Sequence, residues 1–223
     1  MFKSKISLDL KILLLIIFGF QLLLITKQLV ASPLCGDLEN HYGPFDYNDP
    51  QVDKKIVERF HFTTNVENLI GGATSMTPLG DLNYTLRVFP NHHRALNAVS
   101  KYEIRKKQEG QNSGKFYNPE TEGGLTAECY FDRAIRWRPN DPNVHLIYGI
   151  HLHRIGKLDQ ALVEYKISEK IQPNSADLQY NLGLLYFDKQ QYAVAKEHAK
   201  KAYQLGYPLP GLRKKLAGVG QWP

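Results

Sequence analysis

The chain is poor in the residues and motifs that usually mark chemistry. Its 223 residues include two cysteines, two tryptophans and two methionines. Cys35 and Cys129 are too few for a disulfide framework and enough for one bridge. No Gly-x-Ser-x-Gly, His-Glu-x-x-His or Cys-x-x-Cys occurs, which removes the common nucleophile, zinc-protease and dithiol signatures. Gly110-Gln-Asn-Ser-Gly114-Lys115 has one residue too few between its glycines for a phosphate loop, and Phe116 stands where Ser or Thr belongs. Eight histidines are present, but their spacing opposes a metal site. His151 and His153 lie about 200° apart around a helix axis and His92 and His93 about 100°, so neither pair closes on one ion. Acidic residues such as Asp159 and Glu164 belong to solvated helix faces. The expectation is a non-catalytic chain with no metal and no cofactor.

A strong excess of one charge is also missing. The formal net charge of +6 includes four lysines and one aspartate in the first 31 residues, and without them 24 basic side chains stand against 21 acidic ones. That is no nucleic-acid signature. With 43% hydrophobic and 22% charged residues, the composition supports a packed core and argues against wholesale disorder.

One uncharged apolar run, Ile12 to Ile25, follows Lys3, Lys5 and Lys11. Its 14 residues span about 21 Å as a helix, against roughly 30 Å of bilayer hydrocarbon. Residues 1–31 are therefore expected to be a secretory signal or, uncleaved, an N-terminal membrane anchor. Cleavage after Ala31 has a small residue in favour of it, and Leu29 and Lys27 against it. Either way the remainder is expected outside, periplasmic or anchored to the cytoplasmic membrane facing outward. An oxidising compartment favours a Cys35–Cys129 disulfide, the alternative being two separate thiols with Cys129 buried in a helix.

What is abundant is a period. Gly149 recurs as Gly183, Ala161 as Ala195, Leu152 as Tyr186 and Ile171 as Leu205, each at 34 residues. Ala127, Phe131, Ala134, Trp137 and Pro139 reappear as Ala161, Tyr165, Ser168, Ile171 and Pro173, so an earlier unit precedes these two. In that unit His92 to Arg105 reads as a helix with Ala95, Leu96, Val99 and Tyr102 on one stripe, and Lys106 to Gly123 as an inserted loop. Ahead of it, 32–89 is expected to be an irregular segment packing on the repeats. Within it Ile56 to Phe62 reads as a short strand or extended piece, Thr64 as a helix cap with Glu67 three residues on, and Asp81 to Val88 as a short helix. Tyr42, Phe45 and Tyr47 are too many aromatics for a free linker. Asn83-Tyr84-Thr85 is formally a glycosylation sequon, set in an expected helix.

The pattern resembles the tetratricopeptide repeat family. His145, Tyr148-Gly149, Leu152, Ala161, Tyr165, Ser168 and Pro173 fit one repeat, with His145 in place of the usual Trp; Gln179, Leu182-Gly183, Tyr186, Ala195, Ala199 and Ala202 fit the next. The resemblance implies an all-α solenoid of about three helical hairpins, with a short irregular α+β extension before it and a cap helix after it. The repeats would span 90–208, as an interrupted unit 90–139 and two units 142–175 and 176–208, with the cap and tail in 209–223. By analogy the first helices line a groove formed by Asn143, Leu146, Ile150, His153, Arg154, Asp177, Tyr180, Leu184, Phe187 and Asp188. The family's carboxylate-clamping lysine is missing there, so an apolar peptide or helix is the expected partner. The resemblance and the leader together point to an exported scaffold or adaptor for a protein partner. The alternative is an anchored accessory subunit of a secretion, pilus or transport assembly, held at the inner membrane by its N-terminal segment.

Overall fold

The computed structural model describes residues 34–222. Residues from Leu38 onward form one compact unit, and the expected leader lies outside the described residues. Among the described residues every regular element is a helix, and no helix is long and apolar enough to cross a membrane. The α-helices are α1 (Lys55–His61), α2 (Thr64–Glu67), α3 (Pro78–Val88), α4 (His93–Ser113), α5 (Ala127–Trp137), α6 (Pro142–Arg154), α7 (Leu158–Ile171), α8 (Ala176–Asp188), α9 (Tyr192–Gln204) and α10 (Gly211–Gly218). A 3-10 turn, Pro119–Glu122, lies between α4 and α5. Cys35 and Cys129 are both disulfide-bonded, so the alternative of two separate thiols falls.

The 34-residue period sets the starts and stops of the hairpins. Asp141 caps α6 by accepting from the N–H groups of Asn143 (2.9 Å) and Val144 (3.4 Å), with Pro142 in the first turn. Thirty-four residues on, Ser175 caps α8 by accepting from Leu178 N. Each first helix then ends in a left-handed residue, Gly156 at φ 79° and Gln190 at φ 59°. Antiparallel second helices, α7 and α9, fold back to bury Ala161 and Tyr165 in one hairpin and Ala195 and Ala199 in the other. Helix α10 continues the pattern: its Leu212 and Leu216, both fully buried, follow Leu178 and Leu182 at the same period. It lies against α8 and α9 as another first helix would.

Upstream the structure corrects three expectations. The expected strand at Ile56 to Phe62 is helix α1, because Ile56, Val57 and Phe60 recur at helical spacing; only Val57 of the three is buried, which made the stripe hard to see. The cap of α2 is Thr63, not Thr64, with its hydroxyl accepting from Val66 N at 3.4 Å, and Glu67 pairs with Arg94 rather than closing a capping box. The expected loop from Lys106 begins instead as helix: α4 runs to Ser113 and stops at Gly114, φ 69°. Lys106, Lys107, Gln108 and Glu109, all strong helix formers, open that extension, and Lys107 pairs with Glu103 one turn back at 2.6 Å. Gly110 lets the chain return across it, since a Cβ there would sit 2.5 Å from the Lys115 carbonyl oxygen.

The aromatic N-terminal segment is laid across the ends of α3 and α4. Phe45 N donates to the Val88 carbonyl (2.8 Å), Tyr47 N to Asn91 Oδ1 (2.9 Å), and the Tyr47 ring stacks on His92 at 3.9 Å. Asp46 accepts from Asn91 and pairs with Arg138, while Asn48 and Asn91 both donate to the second carboxylate oxygen of Asp141. One aspartate therefore caps α6 and ties the segment to the repeats.

Candidate functional site

The ten groove residues meet three fates. Leu146 and Tyr180, one repeat apart, are 6% and 8% exposed and lie in the seams between successive first helices. Tyr180 is covered by Tyr207, stacked at 3.9 Å, and its hydroxyl accepts from Leu212 N. Ile150, Leu184 and Phe187 are half-buried, with Asn143 beside the α6 cap and Asp177 exposed at the start of α8. The last turns are stitched by charge. Arg154 donates to Asn97 Oδ1 on α4 (2.9 Å), His153 Nε2 meets Asp188 Oδ2 on α8 (2.8 Å), and Lys215 on α10 reaches Asp188 Oδ1 at 3.6 Å and lies over the Phe187 ring. The structure thus brings His153 and Asp188 together and makes each last turn bind the next helix.

Beneath that face lies a polar slot that repeats with the period. His145 Nδ1 bonds Glu164 (2.7 Å) and its Nε2 bonds the Pro139 carbonyl (2.9 Å). In the next repeat Gln179 Nε2 donates to the Pro173 carbonyl (3.1 Å), and its side-chain oxygen meets His198 Nδ1 (2.7 Å). Two acceptors on one imidazole require both ring N–H groups. Burial opposes that charge, yet the Glu164 carboxylate and the carbonyl outweigh it and raise the His145 pKa, whereas burial lowers that of His198.

This geometry, helix pairs of fixed length repeating an intrahairpin polar slot, coincides with a sequence match: residues 149–190 fit the family model described as TPR repeat. The chain carries tetratricopeptide repeats. No curated protein matches it. Among solved structures it is similar to a MamA mutant at 18% identity, covering 57% of this chain and 66% of that one, with a TM-score of 0.38. It is similar also to PilF of Pseudomonas aeruginosa, at 16% identity over 74% of this chain and 64% of that one, TM-score 0.48. YrrB, titled a TPR protein with an unusual peptide-binding site, aligns at 18% identity over 74% of this chain and 89% of that one, TM-score 0.37. The chain thus spans just under two thirds of that MamA mutant and of PilF.

Outside the tetratricopeptide hairpins, sequence reasoning missed a hollow beside α1 and α3. Tyr42, Ile56, Phe60 and Tyr84, each 41 to 54% exposed, line one cavity of about 410 Å³ with His61. His61 Nδ1 lies 3.0 Å from Asp81 Oδ1, which gives this histidine a structural hydrogen bond. Burial alone would raise the Asp81 carboxyl, but bonds from Thr74 Oγ1 and from the Ala73 and Ser75 N–H groups hold it below the ordinary carboxylate range. Asn83 of the sequon accepts from the Tyr130 hydroxyl at 2.9 Å. Among the described residues no group of three or more His, Cys, Asp or Glu converges as a metal site would require.

Proposed function

We propose that this chain is an exported, non-catalytic interaction scaffold whose tetratricopeptide repeats hold an apolar peptide or helix of a protein partner in the cell envelope. The observation that carries this reading is the stack of first helices α6, α8 and α10. At equivalent positions it presents the half-buried Ile150 and Leu184, with Phe187 beside them and Arg154, Asp188 and Lys215 along one edge. An apolar strip with a charged rim suits a helix or extended hydrophobic segment. The aromatic segment that could have filled this face is engaged elsewhere, on Val88, Asn91 and Asp141. The second reading, an accessory subunit held at the membrane, rests on the run Ile12 to Ile25. Sequencing the N-terminus of the mature protein separates the two, because a start near Ser32 removes the anchor.

The test of binding is a photocrosslinking residue at Leu184 in cells, followed by mass spectrometry. A single partner crosslinked through an apolar segment is expected. Crosslinks confined to residues 36–53 or 106–123 of the same chain would sink the proposal.

A further inference from the structure

Two hollows of about 410 Å³ each share Tyr42, His61 and Tyr84. That size lies within the range of small-molecule sites, roughly 300–1,000 Å³. They differ in character. One is walled by Ile56, Val57 and Phe60. The other carries Ser75, Asn83 and Arg87, and no acidic side chain lines it.

The polar half holds groups that the fold leaves unused. Arg87 is exposed and makes no ion pair among the described residues. Asn83 spends its oxygen on Tyr130, and among the described residues its two amide N–H groups are uncommitted. Asp81 fixes Nδ1 of His61 and leaves Nε2 without a hydrogen-bond partner among the described residues. The Asp81 charge itself lies fully buried behind the wall and is met by Thr74, Ala73 and Ser75, so it does not neutralise Arg87. Stacking of His61 on Tyr84 at 3.9 Å stiffens the shared edge.

We propose that the paired hollows form a binding site for a small amphipathic carboxylate, its apolar body against Ile56, Val57 and Phe60 and its charge on Arg87. Charge complementarity selects an anion, because the polar half offers a cation and amide donors with no lining acid. A single guanidinium matches a monoanion, and its planar fork fits a carboxylate. Ile56, Val57 and Phe60 offer that half apolar surface alone, so an anion without an apolar body gains little there. This site is separate from the repeat face and stands whether or not that face binds a peptide.

Octanoate is the probe, with octanol as its uncharged counterpart and octyl phosphate as its dianionic one, titrated calorimetrically into the full chain. Octanoate is expected to bind at one saturable site about tenfold or more tighter than octanol, the worth of one charge-assisted hydrogen bond. Arg87→Gln should bring octanoate down to the octanol level and leave octanol unchanged, and Phe60→Ala should weaken both. Both side chains are exposed, so neither variant threatens folding, and unchanged circular dichroism and melting check this. Equal binding of octanoate and octanol, unchanged octanoate binding by Arg87→Gln, or no saturable octanoate site overturns the proposal. Tighter binding of octyl phosphate, or of an uncharged hydrophobic peptide amide, overturns the assignment to a small carboxylate.

Discussion

The two repeats 142–175 and 176–208 have the same skeleton and fill it differently. Where the first places Tyr165 against Gly149, the second has Ala199 near Gly183, and the space at Gly183 is closed by Leu212 from α10. At this position the first repeat is therefore filled from within its own hairpin, and the second by the element that follows it. The polar slots are exchanged in the same manner: His145 with Glu164 in one, Gln179 with His198 in the other. A repeat fold thus constrains the shape and polarity of each position more tightly than the residue that meets them.

The largest effect should come from emptying the space that each repeat fills. Tyr165→Ala removes a fully buried ring and is expected to cost about 3–5 kcal/mol, read as a lower urea midpoint. Tyr165→Phe should cost nothing measurable, since the Tyr165 hydroxyl has no hydrogen-bond partner among the described residues. Leu212→Ala, at roughly 2–4 kcal/mol, should loosen α8 and α9 while leaving α6 and α7 protected from hydrogen exchange. Equal loss of protection in both hairpins would refute the distinction between a self-completed and a dependent repeat.

Overpacking probes the same seam from the other side. At Gly183 a Cβ would come 2.5 Å from Leu212 Cδ2, the end of a flexible side chain, and 3.3 Å from the Ala195 carbonyl oxygen. Gly183→Val should cost about 1–3 kcal/mol. Part of that loss should return when Leu212→Ala is added, giving a non-additive pair in a double-mutant cycle. Strict additivity would show that the strain lies in the backbone at Ala195.

The exchanged slots should titrate in opposite senses. The raised His145 pKa contributes stability that is fully present below the unfolded histidine value near 6.5 and is lost as pH rises through the folded value. The lowered His198 pKa contributes stability present above about 6.5 and lost as pH falls through its folded value. His145→Gln copies the second slot into the first without its histidine. It should cost about 1 kcal/mol at pH 6 and remove the decline in stability on the alkaline side, measured as melting temperature against pH. Adding Glu164→His should restore part of the loss, and a double variant no better than the single one would show that the slots are not interchangeable.

The hairpins 142–171 and 176–204 were legible because their caps, small residues and turns return every 34 residues. The cap helix was legible too, since Leu212 and Leu216 stay in register. Period gives no help elsewhere. Helix α1 hid because Ile56 and Phe60 are exposed, so its apolar residues do not trace a buried face. The extension of α4 hid because Gly110, a helix breaker by composition, is there to admit the Lys115 carbonyl. Among the groove residues, that Leu146 and Tyr180 are covered follows from the neighbouring first helix, which single-repeat reasoning does not contain. The hollow beside α1 is assembled from residues 40–42, 56–61, 74–75 and 80–88, which share no spacing.

The smallest expected effect is the cleanest comparison, because it concerns one backbone angle. Both first helices end in the same pair of bonds: Gly156 N to the His153 carbonyl and Lys157 N to that of Leu152, then Gln190 N to Phe187 and Gln191 N to Tyr186. This is the Schellman arrangement, whose left-handed residue is usually glycine. The first repeat has glycine at φ 79°, and the second holds an exposed glutamine at φ 59°. A residue with a Cβ gives up about 1–2 kcal/mol in that conformation, while glycine gives up roughly 0.5–1 in unfolded-chain entropy. Gln190→Gly should therefore stabilise the chain by about 0.5–1 kcal/mol, and Gly156→Gln should destabilise it by a similar amount, both from urea midpoints. If Gln190→Gly proves neutral or harmful, the glutamine side chain itself contributes to the turn, and the two repeats differ there in chemistry as well as in strain.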